Sequence, residues 1–472
     1  MTPSDTGATP SCGSNPLFDL ALIKKYDQAG PRYTSYPTAP MFHEGINAGV
    51  YAETLTQASQ TDAPLSLYIH IPFCNTVCYY CGCNKIATKQ YDRAEPYLQL
   101  LLKEIDMIAA RVGNQRPVSQ IHWGGGTPTF FNDTQVQTLF DHIRQKFHTL
   151  DDANAEYSIE IDPRECSENT VNTLRQCGFN RMSLGVQDFN PIVQKAVNRI
   201  QSKEETLTVL NQAREHGFKS INIDLMYGLP HQTLVSFNET LETIIEFSPD
   251  RIALFNYAHL PHMFMPQRRI NDSDLPTPQE KLNILEHSIT KLLDAGYIFI
   301  GMDHFAKPDD ELAIAQQQGK LYRNFQGYST HADADLIGIG LTSIGYVDGN
   351  FFQNAKEMDE YTAAIESQQF AVFRGYHLTD EDQLRRHVIM RLMCDFALNF
   401  NEVSKTFAIN FHQHFADALI DIEPMQNDGL IELNESGLKV LPSGRLLIRN
   451  IAMLFDEHLR KKSGKNQFSK VI

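Results

Sequence analysis

Four cysteines crowd into ten residues of the segment HIPFCNTVCYYCGCN: Cys74, Cys78, Cys81 and, two positions on, Cys83. Thiolates at close spacing bind iron–sulfur clusters or zinc. Zinc sites usually pair C-x2-4-C units across a longer loop. Here the single-residue spacing at the end makes it hard for four side chains to converge on one small ion. A cube with separated corner irons accepts a tight loop more easily. Three thiolates would hold three irons of a 4Fe-4S cluster and leave the fourth iron open, which makes a reaction site rather than an electron carrier. Cys83 then reads as a spare thiol. A structural zinc knuckle and a redox or structural thiol set are the competing readings.

The loop also has a defined place. LSLYIHI alternates, with Leu67, Ile69 and Ile71 facing one way and Tyr68 and His70 the other, which predicts a strand ending at Pro72. The cysteines therefore start at the mouth of a sheet, a position that a purely structural knuckle does not need. Further strands are expected at VSQIHW, YSIEIDP, RMSLGVQ, SINIDLMYG and RIALFNYA. The segments between them suit helices, and NTVNTLRQCG and KEETLTVLNQAREHG each end in glycine, as a helix leading into the next βα unit would. YIFIGMDHFA and ADLIGIGLTSIGY are candidates for extra strands or rim structure. Repeated βα units close into a full or partial barrel or an open parallel sheet, with the C-terminal strand ends forming one reactive face.

We divide the chain into an N-terminal flexible segment, helix and extended arm (1–62), a partial (β/α) barrel (63–375) and a mainly helical accessory domain (376–472). Residues 1 to about 16 have the polar, proline- and glycine-containing composition of a disordered segment. LFDLALIKKYDQ reads as helix, and PRYTSYPTAP as an extended arm that either packs on the surface or covers a pocket. The accessory domain opens on the strongly helical TDEDQLRRHVIMRLMCDF and continues with glycine turns that suggest helices and a small hairpin. The formal net charge of −16 over 472 residues argues against general affinity for nucleic acid. No apolar run reaches the roughly 18 residues of a membrane span, and the polar N-terminus lacks a secretory signal, so the cytoplasm is the expected compartment. Outside the loop, Cys12, Cys166, Cys177 and Cys394 read as free thiols.

An open iron suits a chelating amino-acid group. S-adenosylmethionine offers one, with a sulfonium behind it, and an electron passed into its C–S bond releases an adenosyl radical; the protein supplies geometry and excludes water. Residues at the predicted strand ends fit this role. Gly124, Gly125 and Gly126 in HWGGGTPTF permit close backbone approach and expose amides beside Thr127. This is neither a dinucleotide fingerprint nor a Walker loop. Glu160 lies opposite Ile159 and Ile161, facing the centre of a barrel, where a carboxylate needs a donor or cation. Gln187, Arg199 and Asp224 form a polar set at the mouth, with arginine suited to gripping a carboxylate. Asn256, Tyr257, Ala258 and His259 follow at the next strand end.

These motifs, together with PRYTSYPTA, SIEIDPRE, SLGVQDFN, NIDLMYGLP, FNYAHLP and NFQGYSTHADADLIGIGLTSIG, resemble the oxygen-independent coproporphyrinogen III oxidases (dehydrogenases) of the radical S-adenosylmethionine superfamily. The resemblance runs from the arm to the C-terminal helices. A related group of haem-trafficking proteins shares the cluster loop but usually lacks the Cys83 equivalent and the arm. The resemblance implies that Cys74, Cys78 and Cys81 ligate a 4Fe-4S cluster, and that two S-adenosylmethionine molecules lie in the site. The first would meet Tyr68, Gly125, Glu160 and Ile344, with Tyr68 and Glu160 carried into the catalytic set. The second would meet Tyr80, Gly126, Thr127, Gln187, Arg199, Asp224 and Ala258. Tyr80 stands where phenylalanine is expected and keeps the flat ring. The implied substrate is coproporphyrinogen III, with Arg32 of the arm helping to cover or grip it. A one-electron donor such as a flavodoxin or ferredoxin is implied as partner, and a monomer as the working state.

Overall fold

The computed structural model describes residues 15–461. The segment expected to be disordered falls almost entirely outside the described residues, as does Cys12. Six parallel strands form the centre of the molecule: β1 (Leu65–Ile71), β2 (Pro117–Gly125), β3 (Glu156–Ile161), β4 (Arg181–Gln187), β5 (Ser220–Tyr227) and β6 (Arg251–Asn256). Each pairs in parallel with the next. A helix follows every strand: α1 (Ala94–Val112), α2 (Asp133–Lys146), α3 (Glu168–Cys177), α4 (Lys203–Glu215), α5 (Leu234–Phe247) and α6 (Pro278–Asp294).

Local chemistry sets the helix ends. Asn132 with Gln135 and Ser202 with Glu205 form capping boxes that start α2 and α4. Gly178 ends α3 in the left-handed conformation (φ 104°) that the glycine after NTVNTLRQC predicts.

The sheet stays open. Beyond β1 it continues through Asp335–Ile339, parallel to β1, and then through antiparallel Ile344–Val347, Asn350–Asn354 and Val372–His377. Beyond β6 it continues through His304–Ala306 and Ile298–Gly301, both antiparallel. The strand order is linear and the two edges do not pair, so the barrel is partial. Alternation divides the two faces. Tyr157, Ile159 and Ile161 of β3 and Ile221, Ile223 and Leu225 of β5 are buried against the helices. Ser158, Glu160, Asn222 and Asp224 point inward to line a polar cavity of about 180 Å³.

The C-terminal part packs the helix Asp380–Asp395 against Ile448–Met453. Its expected hairpin, Ile431–Asn434 with Gly437–Val440, gains a third strand from Ala397–Asn399. The arm is clasped rather than laid on the surface. Tyr33 and Tyr36 are fully buried. Tyr33 donates its hydroxyl hydrogen bond to Asp456 at 2.9 Å, Arg449 donates to the Gly30 carbonyl at 3.0 Å, and Arg32 pairs with Asp303 at 2.7 Å. No helix among the described residues is long and apolar enough to cross a membrane.

The single tryptophan, Trp123, is fully buried on β2 and meets Phe179 edge to face at 5.0 Å. Phe179→Ala should cost about 3–5 kcal/mol by leaving a cavity against Trp123. Denaturant unfolding followed by tryptophan fluorescence checks this, since that ring is the only indole reporting.

Candidate functional site

The cysteine loop is attached to the sheet by backbone hydrogen bonds. Gly126 donates its N–H to Ile71 O at 2.8 Å and Thr127 donates to Phe73 O at 2.7 Å. Phe73–Cys74 then pairs with Ile86–Ala87, which returns the far end of the loop to its start. The three glycines make the junction possible. A Cβ on Gly124 would lie 2.9 Å from the Glu160 carboxylate, on Gly125 2.7 Å from the His70 ring, and on Gly126 2.5 Å from Phe73 O. Gly125 also has φ 117°, a conformation that favours glycine.

Cys74 and Cys78 are buried, Cys81 is half-buried and Cys83 is exposed. Thr127 Oγ1 lies 3.7 Å from Cys74 Sγ, and Cys78 Sγ faces Arg199 Nη1 at 3.6 Å and Arg164 Nη2 at 3.9 Å. Asp162 stands between the two guanidiniums, 2.9 Å from Arg199 and 2.6 Å from Arg164. Burial works against the Asp162 charge, but Arg199 and Arg164 hold its carboxyl below the usual carboxylate range. Burial pushes the Cys74 thiol up to about 11, with the neighbouring Cys81 and Cys78 adding to the rise. The hydrogen bond between Cys81 and Cys83 pulls Cys81 down to about 5 and pushes Cys83 up.

These thiols fit an anionic metal–sulfur group. They are near enough to feel one another's charge, and cationic or hydroxyl donors face two of them. Among the described residues, no three His, Cys, Asp or Glu side chains are grouped to hold a single metal ion. A cube asks for something else, because its cysteines bind separate irons.

The inner face beside the loop is continuous across strands. Tyr68 is in register with His122, and His122 with Ser158; on the next row Glu160 is in register with Ser183, and Ser183 with Asn222. His122 Nε2 lies 3.4 Å from Glu160 Oε1, and Gly125 donates its N–H to Glu160 Oε2 at 3.2 Å. Burial opposes the Glu160 charge, but His122 and the Gly125 amide lower its pKa overall. The Tyr68 hydroxyl lies 3.0 Å from His70 Nδ1, and His70 Nε2 lies 3.2 Å from the Asn84 carbonyl. A carbonyl can only accept, so Nε2 carries the proton and Nδ1 accepts from Tyr68. Ile344 joins this group through Gly338, the register partner of Tyr68, whose Cβ would meet the Ile344 backbone at 2.8 Å.

The second predicted group also assembles in part. A Cβ on Gly185 would lie 3.1 Å from Arg199 Nη2 and 3.3 Å from Gln187 Nε2, and Gly185 is in register with Asp224. Asp224 accepts from Asn222 at 2.7 Å and from Ser183 at 3.2 Å. Gln187 Oε1, Arg199 Nε and Asn256 Oδ1 are buried without a hydrogen-bond partner, as suits side chains that serve a polar ligand. Tyr80 packs with Val193 and Val197, and its carbonyl accepts from Gln267 Nε2 at 2.9 Å. Gly126 and Thr127 belong to the loop junction. Ala258 lines a separate cavity of about 380 Å³ with Arg32, Lys281 and Arg449.

Sequence reasoning missed Asp162, Arg164, His70 and His122. The first two sit at a strand end in EIDPRE, and the same strand-end rule that singled out Gln187 could have found them. His259 is engaged by the Tyr257 hydroxyl at 2.7 Å and by Asp272 at 2.9 Å.

An open parallel barrel with a three-cysteine loop at the mouth of its first strand defines the radical SAM superfamily, whose family model matches residues 68–244. That membership implies an iron–sulfur cluster and S-adenosylmethionine. A second model, the HemN C-terminal domain, matches residues 378–447. An oxygen-independent coproporphyrinogen III oxidase of Salmonella typhimurium is 50% identical over 455 residues, covering 96% of this chain and 98% of the relative. Its Pseudomonas aeruginosa counterpart is 48% identical, covering 96% and 99%. The solved coproporphyrinogen III oxidase (HemN) of Escherichia coli, described as a radical SAM enzyme, superposes with TM-score 0.90 at 48% identity, covering 94% of this chain and all of that one. The chain belongs to the oxygen-independent coproporphyrinogen III oxidase family.

Burial and the nearby Glu160 charge raise Asp224 from an ordinary 3.8 to about 6. Between those values the folded protein holds a proton that the unfolded chain has lost, so this group lowers stability as pH rises from about 4 to 6. Asp224→Asn should remove that loss. Its stability relative to the parent should climb through this window and level off above about 6, as chemical denaturation at a series of pH values would show.

Proposed function

We propose that this chain converts coproporphyrinogen III to protoporphyrinogen IX by oxidative decarboxylation of two propionates to vinyl groups. The observation that carries this reading is the cysteine loop seated at the sheet mouth beside the inner polar row. The near-complete match to the curated oxidases supports it.

Cys74, Cys78 and Cys81 are the residues that would hold the 4Fe-4S cluster, with Cys83 free. When bound, the cluster and S-adenosylmethionine would supply the radical chemistry that removes a hydrogen from the β-carbon of a propionate; carbon dioxide would then leave and the remaining electron would pass to an external one-electron acceptor. The chain's own work is placement, since hydrogen transfer needs reacting atoms held near contact. Glu160, held by His122 and the Gly125 amide, accepts donors of the first S-adenosylmethionine. Tyr68, fixed by His70, and Ile344 pack beside it. Gln187, Arg199 and Asp224 meet a second S-adenosylmethionine together with Tyr80, Gly126, Thr127 and Ala258.

Arg32 faces the 380 Å³ cavity with Lys281 and Arg449. Burial and the Arg32 charge pull the Arg449 guanidinium down to about 10. Such crowding of cations favours an anion, and the substrate carries four carboxylates. We also read the chain as arm, barrel and accessory domain divided near residues 62 and 375. It would work as a cytoplasmic monomer served by a flavodoxin or ferredoxin.

Anaerobically reconstituted enzyme with coproporphyrinogen and a reductant should form methionine and 5′-deoxyadenosine, with protoporphyrinogen at half their molar amount. Cys74→Ser should lose iron and activity, whereas Cys83→Ser should keep its iron. Cofactor cleavage without a vinyl product overturns the reading. Tight stoichiometric haem binding without turnover would point instead to a cluster-bearing haem chaperone.

A further inference from the structure

Three segments meet around the cysteine loop, and their charge is opposite to that of the chain. Residues 76–90, 189–203 and 258–271 contain none of the chain's 57 acidic residues, although the net charge is −16. They carry Lys85, Lys89, Lys195, Lys203, Arg268 and Arg269, with Arg199 buried beneath, beside Cys78.

The segments form one surface. Tyr79 donates its N–H to Val197 O at 2.9 Å, and Asn198 Nδ2 donates to Val77 O at 2.8 Å. Gln267 Nε2 donates to Tyr80 O at 2.9 Å, and the Arg269 guanidinium sits 5.1 Å over the Tyr79 ring. Phe264 covers Gly82, between Cys81 and Cys83, where an added Cβ would meet its ring at 3.1 Å. Beneath them Val193, Val197 and Ile270 pack with Tyr79 and Tyr80 into a small core.

Above that core, large apolar side chains stay in solvent. Ile192 is 65% exposed, Ile200 71%, Met263 60% and Met265 71%. Apolar groups ringed by one sign of charge mark an interaction surface, and methionine adapts to a partner's shape. Of the carboxylates that border these segments, Asp188 is buried and accepts from Thr240 and Gln232, Glu205 caps its own helix at Ser202, Asp272 is engaged by His259 and Asp274 by Asn271, while Glu204 stays exposed at the edge beside Lys203.

We propose that this surface docks a small acidic one-electron carrier protein. The proposal rests on the reading that Cys74, Cys78 and Cys81 hold the cluster. The carrier's reduced cofactor loses one electron and the cluster gains it, so each reductive cleavage is charged through this face. Electron-transfer encounters are small and weak, so steering by opposite charge sets their rate, and salt suppresses it. The cysteine loop is itself part of this surface, with Cys83 exposed, which makes the surface the short route to the metal site.

The test uses full-chain reconstituted enzyme and an acidic flavodoxin reduced to its hydroquinone, with loss of cluster absorbance followed by stopped flow. At low salt, Lys195→Glu with Arg268→Glu should slow flavodoxin-driven reduction at least about tenfold and flatten its salt dependence, while dithionite-driven reduction stays within about twofold. Lys89→Glu alone should give a smaller slowing in the same direction. Lys439→Glu, the same charge change in the C-terminal hairpin, should leave the flavodoxin rate unchanged. The proposal is overturned if the double variant keeps the parent's flavodoxin rate, if dithionite reduction falls equally, or if Lys439→Glu slows the reaction as much. The assigned reaction fails separately, when dithionite-reduced enzyme yields no vinyl product whatever the flavodoxin result.

Discussion

The site depends on the close backbone contact between the end of β1 and the end of β2. With Thr127 N–H on Phe73 O and Gly126 N–H on Ile71 O, the two strand ends continue as one surface into the cysteine loop. Any side chain at positions 124 to 126 would collide in turn with Glu160, His70 and the Phe73 carbonyl. A single glycine run thus sets the place of the thiols, of the carboxylate facing them and of the histidine that orients Tyr68. Because two of the three contacts are with side chains, the run fixes the polar row as firmly as it fixes the loop.

Electrostatics then sort the buried charges. Asp162 lies between Arg164 and Arg199, so this buried triad keeps one positive charge, and Cys78 Sγ is in contact with both guanidiniums. Buried ions are costly unless paired, and a thiolate cluster at Cys78 would complete the pairing. Glu160 and Asp224 share the inner cavity, but their surroundings separate them. Glu160 has His122 and an amide, whereas Asp224 has only neutral donors, Asn222 and Ser183, and is raised to about 6. Two carboxylates on adjacent rows are therefore shifted in opposite directions by their surroundings.

Much of this was legible in the sequence because it follows a period of two. Alternation in YSIEIDP and SINIDLM put Glu160 and Asp224 on the inner face, and the strand running into Pro72 put the cysteines at the mouth. What the glycines pack against was not legible, because His70, Phe73 and Glu160 come from other strands and loops. Asp162 and Arg164 follow the predicted strand and locally form a turn, in which Asp162 accepts from the Arg164 backbone amide at 3.2 Å. Their second role, beside Cys78, depends on Arg199 arriving from a different βα unit. The arm was harder still. Its anchors, Tyr33 to Asp456 and Arg449 to Gly30, join residues more than four hundred positions apart, and no local pattern encodes such a pairing.

Those long-range anchors give the C-terminal part of the chain a place in the wall of the 380 Å³ cavity. Arg449 and Asp456 hold the arm, and Asn450 donates to the Tyr26 carbonyl at 2.8 Å. The arm in turn brings Arg32 to Asp303 at the rim of the 380 Å³ cavity, whose wall includes Ala258 from the strand end and Arg449 itself. Three parts of the chain therefore build one cation-rich chamber, and none of them builds it alone. Arg32 and Arg449 share that rim with Asp303, and burial and the Arg32 charge leave the Arg449 guanidinium less basic.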